Sequence, residues 1–183
     1  MSESSTILIP YESLLGRAVV RPVLSEEIYN VINAAIVPIT HKTRWEKWGM
    51  NRQNKKGTKL LLTGGPGTGK STVARWLAKE VTNSIISVTM ADVGSNEPGA
   101  TERNIRSIFE TGKKKDNATL FLDECDAMLW SREHVGSDSM FMLGIINQLL
   151  IQIEKYDGLV IMATNFSKVL DPALARRLSY IID

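Results

Sequence analysis

The sequence is poor in cysteine, and it lacks both a long apolar run and a signal-peptide pattern in its first residues. Cys125 is the single cysteine, so no internal disulfide can form and nothing requires an oxidising compartment. No apolar run approaches the roughly 18 residues of a membrane span. The polar residues 1–6 lack the basic and then apolar pattern of a signal peptide. These absences predict a soluble, cytoplasmic protein with no membrane span.

An excess of one charge is also lacking. The 22 basic and 20 acidic side chains leave a net charge of +2, which is no general signal for binding nucleic acid or a membrane. We interpret the lysine clusters at 55–56 and 113–115 as solvated loop and helix-end charges. The 43% hydrophobic and 23% charged residues are typical of a globular protein, and 183 residues suffice for one sizeable core.

Residues 1–58 are predicted to form an N-terminal helical preface, packed on a core of residues 59–183. Ser25 is predicted to cap a helix whose first turn is acidic. Apolar residues then recur at helical spacing. Pro38 is predicted to end this helix, since proline cannot continue the backbone hydrogen bonds.

The core alternates short apolar segments with amphipathic ones. Strands are predicted over residues 60–62, 85–88, 119–122, 159–162 and 180–182. Helices are predicted over residues 71–81, 101–111, 140–153 and 171–178. Strands that are apolar on both faces and alternate with helices are typical of a covered parallel sheet. The sequence therefore predicts an α/β fold, with a parallel five-stranded sheet and helices on both faces.

Residues 64–71, here named the phosphate cradle, fit G-x-x-x-x-G-K-[ST] between a predicted strand and a predicted helix. The glycines let the backbone point its N–H groups at phosphate oxygens, and the helix N-terminus adds partial positive charge. Lys70 is expected to contact the β- and γ-phosphates, and Ser71 to bind Mg²⁺. An ordinary glycine-rich turn is the alternative, which the complete motif disfavours. The predicted nucleotide-binding residues are Gly65, Pro66, Gly67, Thr68, Gly69, Lys70, Ser71 and Thr72.

Two acids follow the apolar strand 119–122. Paired carboxylates at the end of a buried strand are costly unless a cation or water uses them. Asp123 can bind Mg²⁺, directly or through water, and Glu124 can orient or deprotonate an attacking water. A solvated strand end is the alternative. The neighbouring Cys125 is interpreted as a buried packing residue rather than a nucleophile.

With these two motifs, four further segments resemble the AAA+ family, and within it the AAA-type ATPases. They are residues 99–109, residues 147–150, the strand 159–164 that ends at Asn165, and residues 170–177. The resemblance covers residues from about 60 to 183. It implies a P-loop NTPase fold that binds ATP and Mg²⁺, specifically the large AAA+ subdomain.

The resemblance also implies roles for three further residues. Asn165 would position the attacking water or sense the γ-phosphate. Arg176 would reach into the site of a neighbouring subunit and stabilise transition-state charge, with Arg177 as the second candidate. Both arginines could instead cap a helix end. A finger in trans implies a homo-oligomeric ring, expected to be a hexamer.

Three features depart from the family pattern. Residues 95–98, before Gly99, hold no aromatic side chain, whereas family members that thread protein usually carry one there. Residues 177–180 lack the usual Arg-x-Gly-Arg run. The C-terminal helical lid is absent, so we expect a fragment of a longer chain or a lidless protein.

The leading hypothesis is therefore an AAA+ core that couples Mg-ATP hydrolysis in an oligomer to the remodelling of a macromolecular partner. A protein partner is favoured over nucleic acid. The alternative is an ATP-dependent regulatory switch or assembly scaffold, with slow hydrolysis and no substrate threading. A P-loop kinase of small molecules is a weaker hypothesis. A GTPase is weaker still, since no Asn-Lys-x-Asp motif occurs.

Overall fold

Six strands and five helices make up the secondary structure of the residues described in a computed structural model of the protein. These residues are 8–10, 19–41, 57–82, 84–89, 93, 99–126, 139–165 and 172–183. The strands are β1 (Leu8–Pro10), β2 (Lys59–Leu62), β3 (Ser84–Thr89), β4 (Thr119–Asp123), β5 (Val160–Ala163) and β6 (Tyr180–Ile182). The helices are α1 (Glu26–Thr40), α2 (Lys70–Val81), α3 (Ala100–Lys114), α4 (Ser139–Lys155) and α5 (Pro172–Ala175).

The strands form one sheet in the order β1-β3-β4-β5-β2-β6. The strands β2 to β6 pair in parallel, which confirms the predicted five-stranded parallel sheet. The edge strand β1 pairs antiparallel with β3 and was not predicted. Three residues that end in a proline carry no alternation signal, and proline is tolerated at a sheet edge. This strand depends on the open edge of β3 rather than on its own sequence.

The sheet separates two apolar clusters, one on each face. Leu61 belongs to the cluster that α3 and α4 cover, whereas Leu60 and Leu62 belong to the cluster under α1 and α2. Successive side chains of a strand point to opposite faces, so a strand buried on both sides must be apolar throughout. The predicted placement of helices on both faces is confirmed.

Helix α1 begins as predicted but ends later. The Ser25 hydroxyl accepts a hydrogen bond from the Ile28 N–H at 3.3 Å, which confirms it as the N-cap. The predicted end at Pro38 is wrong, since the helix continues to Thr40. Pro38 lies in the last turn, where its missing N–H removes a single helical bond. The Thr40 hydroxyl also donates to the Ile36 carbonyl at 3.2 Å.

Helix α1 contacts both α2 and the start of β2. The Thr58 hydroxyl donates to the Ala35 carbonyl at 2.8 Å, and the Tyr29 ring meets the Trp76 ring edge-on at 5.9 Å. These contacts join the described part of the preface to the core. The division between residues 58 and 59 stays a prediction. No helix among the described residues is long and apolar enough to cross a membrane.

Leu77 is expected to be critical for holding α2, and therefore the phosphate cradle, against the sheet. Its side chain is 0% exposed, whereas Ile151 on α4 is 42% exposed. Leu77→Ala should lower the free energy of unfolding by about 2–5 kcal/mol, because it removes buried methyl groups and leaves a cavity. Ile151→Ala is the matched control and should cost less than about 1 kcal/mol. Urea denaturation of both variants checks this, and equal losses would contradict it.

Candidate active site

The phosphate cradle connects the carboxyl end of β2 to the first turn of α2. Gly67 and Gly69 adopt φ angles of 77° and 96°, which a side chain would strain. Gly69 is the N-cap of α2 and offers no side-chain cap. The first N–H groups of the helix are therefore available to an anion, which the helix dipole also favours. Residues 65–68 and Thr72 are exposed, and Ser71 is half-buried.

Lys70 joins the cradle to the end of β5. Its ammonium group donates to the carbonyl oxygens of Gly64 at 2.7 Å and Gly65 at 2.8 Å. It also donates to Asn165 Oδ1 at 2.9 Å. The structure thus brings together two predicted site residues that are 95 positions apart in sequence.

Asp123 joins the cradle to the end of β4. Its Oδ2 accepts a hydrogen bond from the Ser71 hydroxyl at 3.2 Å, and its Oδ1 accepts one from the Glu124 N–H at 2.9 Å. Glu124 is exposed and has a φ of 55°, a left-handed conformation that costs a non-glycine residue about 1–3 kcal/mol. Such strained residues cluster at functional sites. Glu124 therefore lies directly beyond Asp123 in a strained conformation and in contact with solvent.

The oxygens of Ser71 and Asp123 fit a magnesium ion. Mg²⁺ takes six oxygen ligands at about 2.0–2.1 Å, so adjacent ligands lie about 3 Å apart. The Ser71 and Asp123 oxygens are separated by 3.2 Å. Among the described residues no group of three histidine, cysteine or acidic side chains could hold a metal. Mg²⁺ needs no such cage, because it uses one or two carboxylates together with substrate phosphates and water.

Asp126 is a residue of this site that the sequence prediction missed. Its Oδ1 accepts hydrogen bonds from the Thr164 hydroxyl and from the Asn165 N–H, the latter at 3.0 Å. The available signal was a third acid close behind the pair at 123 and 124. That spacing alone does not reveal which strand the carboxylate contacts.

The two predicted finger arginines differ in their surroundings. Arg177 donates from Nη1 to the Ala173 carbonyl at 2.8 Å and pairs through Nε with Glu154 at 3.4 Å. It therefore binds the end of α5 and joins α5 to α4 in its own chain. Arg176 is exposed. Within the described part of the chain, neither arginine forms a hydrogen bond or ion pair with the cradle or with Asp123.

Cys125 lies directly behind the acids and is 0% exposed. Its thiol donates to the Leu122 carbonyl at 3.1 Å, and its N–H donates to the Ala163 carbonyl at 3.0 Å. Burial raises the pKa of the thiol to about 12, so it stays neutral at physiological pH. The prediction of a packing residue is confirmed. The predicted segment before Gly99, residues 95–98, lies outside the described residues.

A family of known ATPases matches the part of the chain that carries this site. The model of the "ATPase family associated with various cellular activities (AAA)" matches residues 60–183. The chain belongs to this family, as the sequence resemblance predicted, and ATP hydrolysis is the activity of its class.

Curated relatives from several organisms are similar over most of this chain. Protein CdcH of Halobacterium salinarum is 32% identical over 92% of the chain. Vacuolar protein sorting-associated protein 4 of Dictyostelium discoideum is 36% identical over 69% of it, and the proteasome-activating nucleotidase of Aeropyrum pernix is 32% identical over 84%. The chain spans only 21%, 29% and 38% of these three relatives, in that order.

A solved structure shares the fold. A chain in the E. coli MS115-1 HORMA:CdnC:Trip13 complex superposes with a TM-score of 0.70 at 19% sequence identity. The match covers 96% of this chain and 67% of the other. At this identity the similarity establishes the architecture alone.

The buried thiol leads to a prediction about chemical reactivity. Native Cys125 should react with a thiol reagent such as dithionitrobenzoate at least about 100-fold more slowly than the unfolded chain at pH 8, because the thiolate is the nucleophile and burial suppresses it. Absorbance of the released thionitrobenzoate measures the rate. The same protein unfolded in about 6 M urea is the control. Equal rates would contradict a buried thiol.

Proposed function

We propose that this chain binds Mg-ATP in the phosphate cradle and hydrolyses it within a homo-oligomeric ring, and that hydrolysis remodels a macromolecular partner. The observation that carries the proposal is the convergence of Lys70 with Asn165 and of Ser71 with Asp123 at one edge of the sheet. A cation, an amide, a hydroxyl and a carboxylate together supply the groups that phosphoryl transfer requires.

ATP binding would use groups that the free chain already directs to this edge. Phosphate oxygens would replace the carbonyl partners of Lys70. They would also accept hydrogen bonds from the N–H groups in the first turn of α2. Ser71 and Asp123 would hold Mg²⁺, which neutralises charge on the β- and γ-phosphates when bound. Because the transition state is loose, positioning and electrostatic stabilisation account for most of the catalysis.

Glu124 is the proposed general base. Its backbone N–H donates to Asp123 Oδ1, so the backbone of the proposed base is held directly beside the proposed Mg²⁺ ligand. Asn165 would hold the water or the γ-phosphate from the neighbouring strand end, and its contact with Lys70 supports this position. A carboxylate can take the proton of the attacking water, whereas an amide cannot.

Arg176 is the proposed finger in trans. It is exposed, whereas Arg177 already binds Ala173 and Glu154 of its own chain. We therefore assign the intermolecular role to Arg176 and an intramolecular role to Arg177. Head-to-tail contacts of this kind form a ring when the rotation between subunits closes, and we propose such a ring with six subunits. A protein partner and a cytoplasmic location remain predictions.

The alternative is a switch or scaffold in which ATP binding builds the oligomer and hydrolysis resets it. Residues 95–98 contain no aromatic side chain, and this favours an ATPase that does not thread polypeptide. Both functions use the same catalytic groups. They differ in turnover, which would be slow in a switch.

Glu124→Gln should bind ATP normally but hydrolyse it at least about 100-fold more slowly, since the amide cannot accept a proton from the attacking water. Glu80→Gln makes the same change on the exposed face of α2 and is the control. Steady-state phosphate release measures hydrolysis, and the affinity for a fluorescent ATP analogue measures binding. Wild-type turnover in Glu124→Gln would exclude Glu124 as the base.

The rate of ATP hydrolysis per subunit should rise with protein concentration, since Arg176 acts only across an interface. Arg176→Ala should lower the rate at least about tenfold at any concentration, a modest part of what an arginine finger can contribute. It should also inhibit wild-type subunits when mixed with them. Arg177→Ala is the matched comparison and should mainly lower the melting temperature.

These mixtures separate the two arginines. Dominant inhibition by Arg177→Ala rather than by Arg176→Ala would reverse the assignment. Hydrolysis in a ring would be contradicted by a rate per subunit that is independent of concentration, together with activity that falls in both mixtures only in proportion to the fraction of variant subunits. That outcome would favour a monomeric switch.

A further inference from the structure

The ends of β4 and β5 are joined by a side chain that no catalytic role requires. The Thr164 N–H still follows the sheet ladder, donating to the Leu62 carbonyl of β2 at 3.0 Å. The Asn165 N–H has left the ladder and donates to Asp126 Oδ1 at 3.0 Å. Asp126 therefore supplies the partner that a neighbouring strand would otherwise give to the first residue beyond β5.

The same carboxylate oxygen also binds the preceding residue. Thr164 is 1% exposed, and its hydroxyl donates to Asp126 Oδ1. Buried hydroxyls require acceptors, and hydrogen bonds to an ionised carboxylate are stronger than those between neutral groups. Two consecutive residues are thus held by one atom. The backbone just before Thr164 is also fixed, because the Ala163 carbonyl accepts a hydrogen bond from the Cys125 N–H at 3.0 Å.

We propose that Asp126 is a positioning residue for ATP hydrolysis, which fixes the backbone of Asn165 and thereby holds the Asn165 amide at the phosphate cradle. The Asn165 side chain reaches Lys70 at 2.9 Å from this clamped backbone. The inference rests on the proposed role of Asn165. A displacement of about 1 Å in a catalytic group can cost about 100-fold in rate, so a lost backbone anchor is expected to lower kcat.

Substitutions at Asp126 separate the geometry of the acceptor from its charge. Asp126→Ala removes the acceptor, and kcat for ATP should fall about tenfold, while KM stays within about threefold because no residue of the cradle is substituted. Asp126→Asn keeps Oδ1 in place and should retain kcat within about threefold. Asp126→Glu keeps the charge but moves the acceptor, so kcat should fall several-fold. Asp157→Ala, an exposed acid before β5, is the control and should match the wild type.

A double-mutant cycle tests whether Asp126 acts through Asn165. In an Asn165→Ala background, adding Asp126→Ala should change kcat by less than about twofold, because the amide that it positions is already gone. A tenfold loss that persists in this background would show an independent effect and overturn the proposal. Equal defects in Asp126→Asn and Asp126→Ala would also overturn it, because they would assign the effect to charge.

Hydrogen exchange gives a readout that does not depend on catalysis. By NMR on the nucleotide-free chain, protection of the Asn165 amide should fall at least about tenfold in Asp126→Ala, whereas the Cys125 amide should keep its protection. Unchanged protection of the Asn165 amide would show that Asp126 does not hold this backbone, and it would overturn the proposal. If Asn165→Ala alone keeps the wild-type kcat, the proposed catalytic role of Asn165 is wrong. The hydrogen bond from the Asn165 N–H to Asp126 can still be confirmed by the exchange data in that case.

Discussion

The parallel pairing of β5 with both β2 and β4 is the constraint on which the site depends. The carboxyl ends of parallel strands meet at one edge of a sheet. Here that edge collects the cradle after β2, Asp123 at the end of β4 with Glu124 directly beyond it, and Asn165 after β5. Lys70 and Asp123 then need only short side-chain contacts to join residues that are far apart in sequence.

That pairing is itself maintained by burial. The side chains of β2 and β5 are buried along the whole of both strands, between the cluster under α1 and α2 and the cluster under α3 and α4. Burial of apolar surface is the main favourable term in folding. The polar groups of the site lie just beyond the last buried residues, where solvent and the proposed nucleotide and metal can reach them. The buried strands therefore support an edge at which Lys70, Asp123 and Asn165 present polar groups.

Strain at Glu124 and the clamp at Asp126 illustrate how this edge is organised. Asp123 uses one oxygen for Ser71 and the other for the Glu124 N–H, so the proposed metal ligand also holds the backbone of the proposed base. Asp126 does the same for Asn165 on the next strand. The backbone N–H groups of Glu124 and Asn165 are thus each held by a carboxylate. Glu124 adopts its left-handed φ at the point where its N–H donates to Asp123.

The sequence by itself determined the α/β class, the five parallel strands and the nucleotide-binding loop, because these depend on local periodicity and on a contiguous loop motif. The resemblance to the AAA family needed that loop together with four further segments at the right places along the chain. Only the tertiary structure decided the rest. The short edge strand β1 depends on β3, and the last turn of α1 tolerates Pro38 because it loses one helical bond there. Only the fold separates Arg177, held by Glu154 and Ala173, from the exposed Arg176. Asp126 likewise becomes informative only when β5 lies beside β4, since a hydrogen bond across 39 residues has no signal in local sequence.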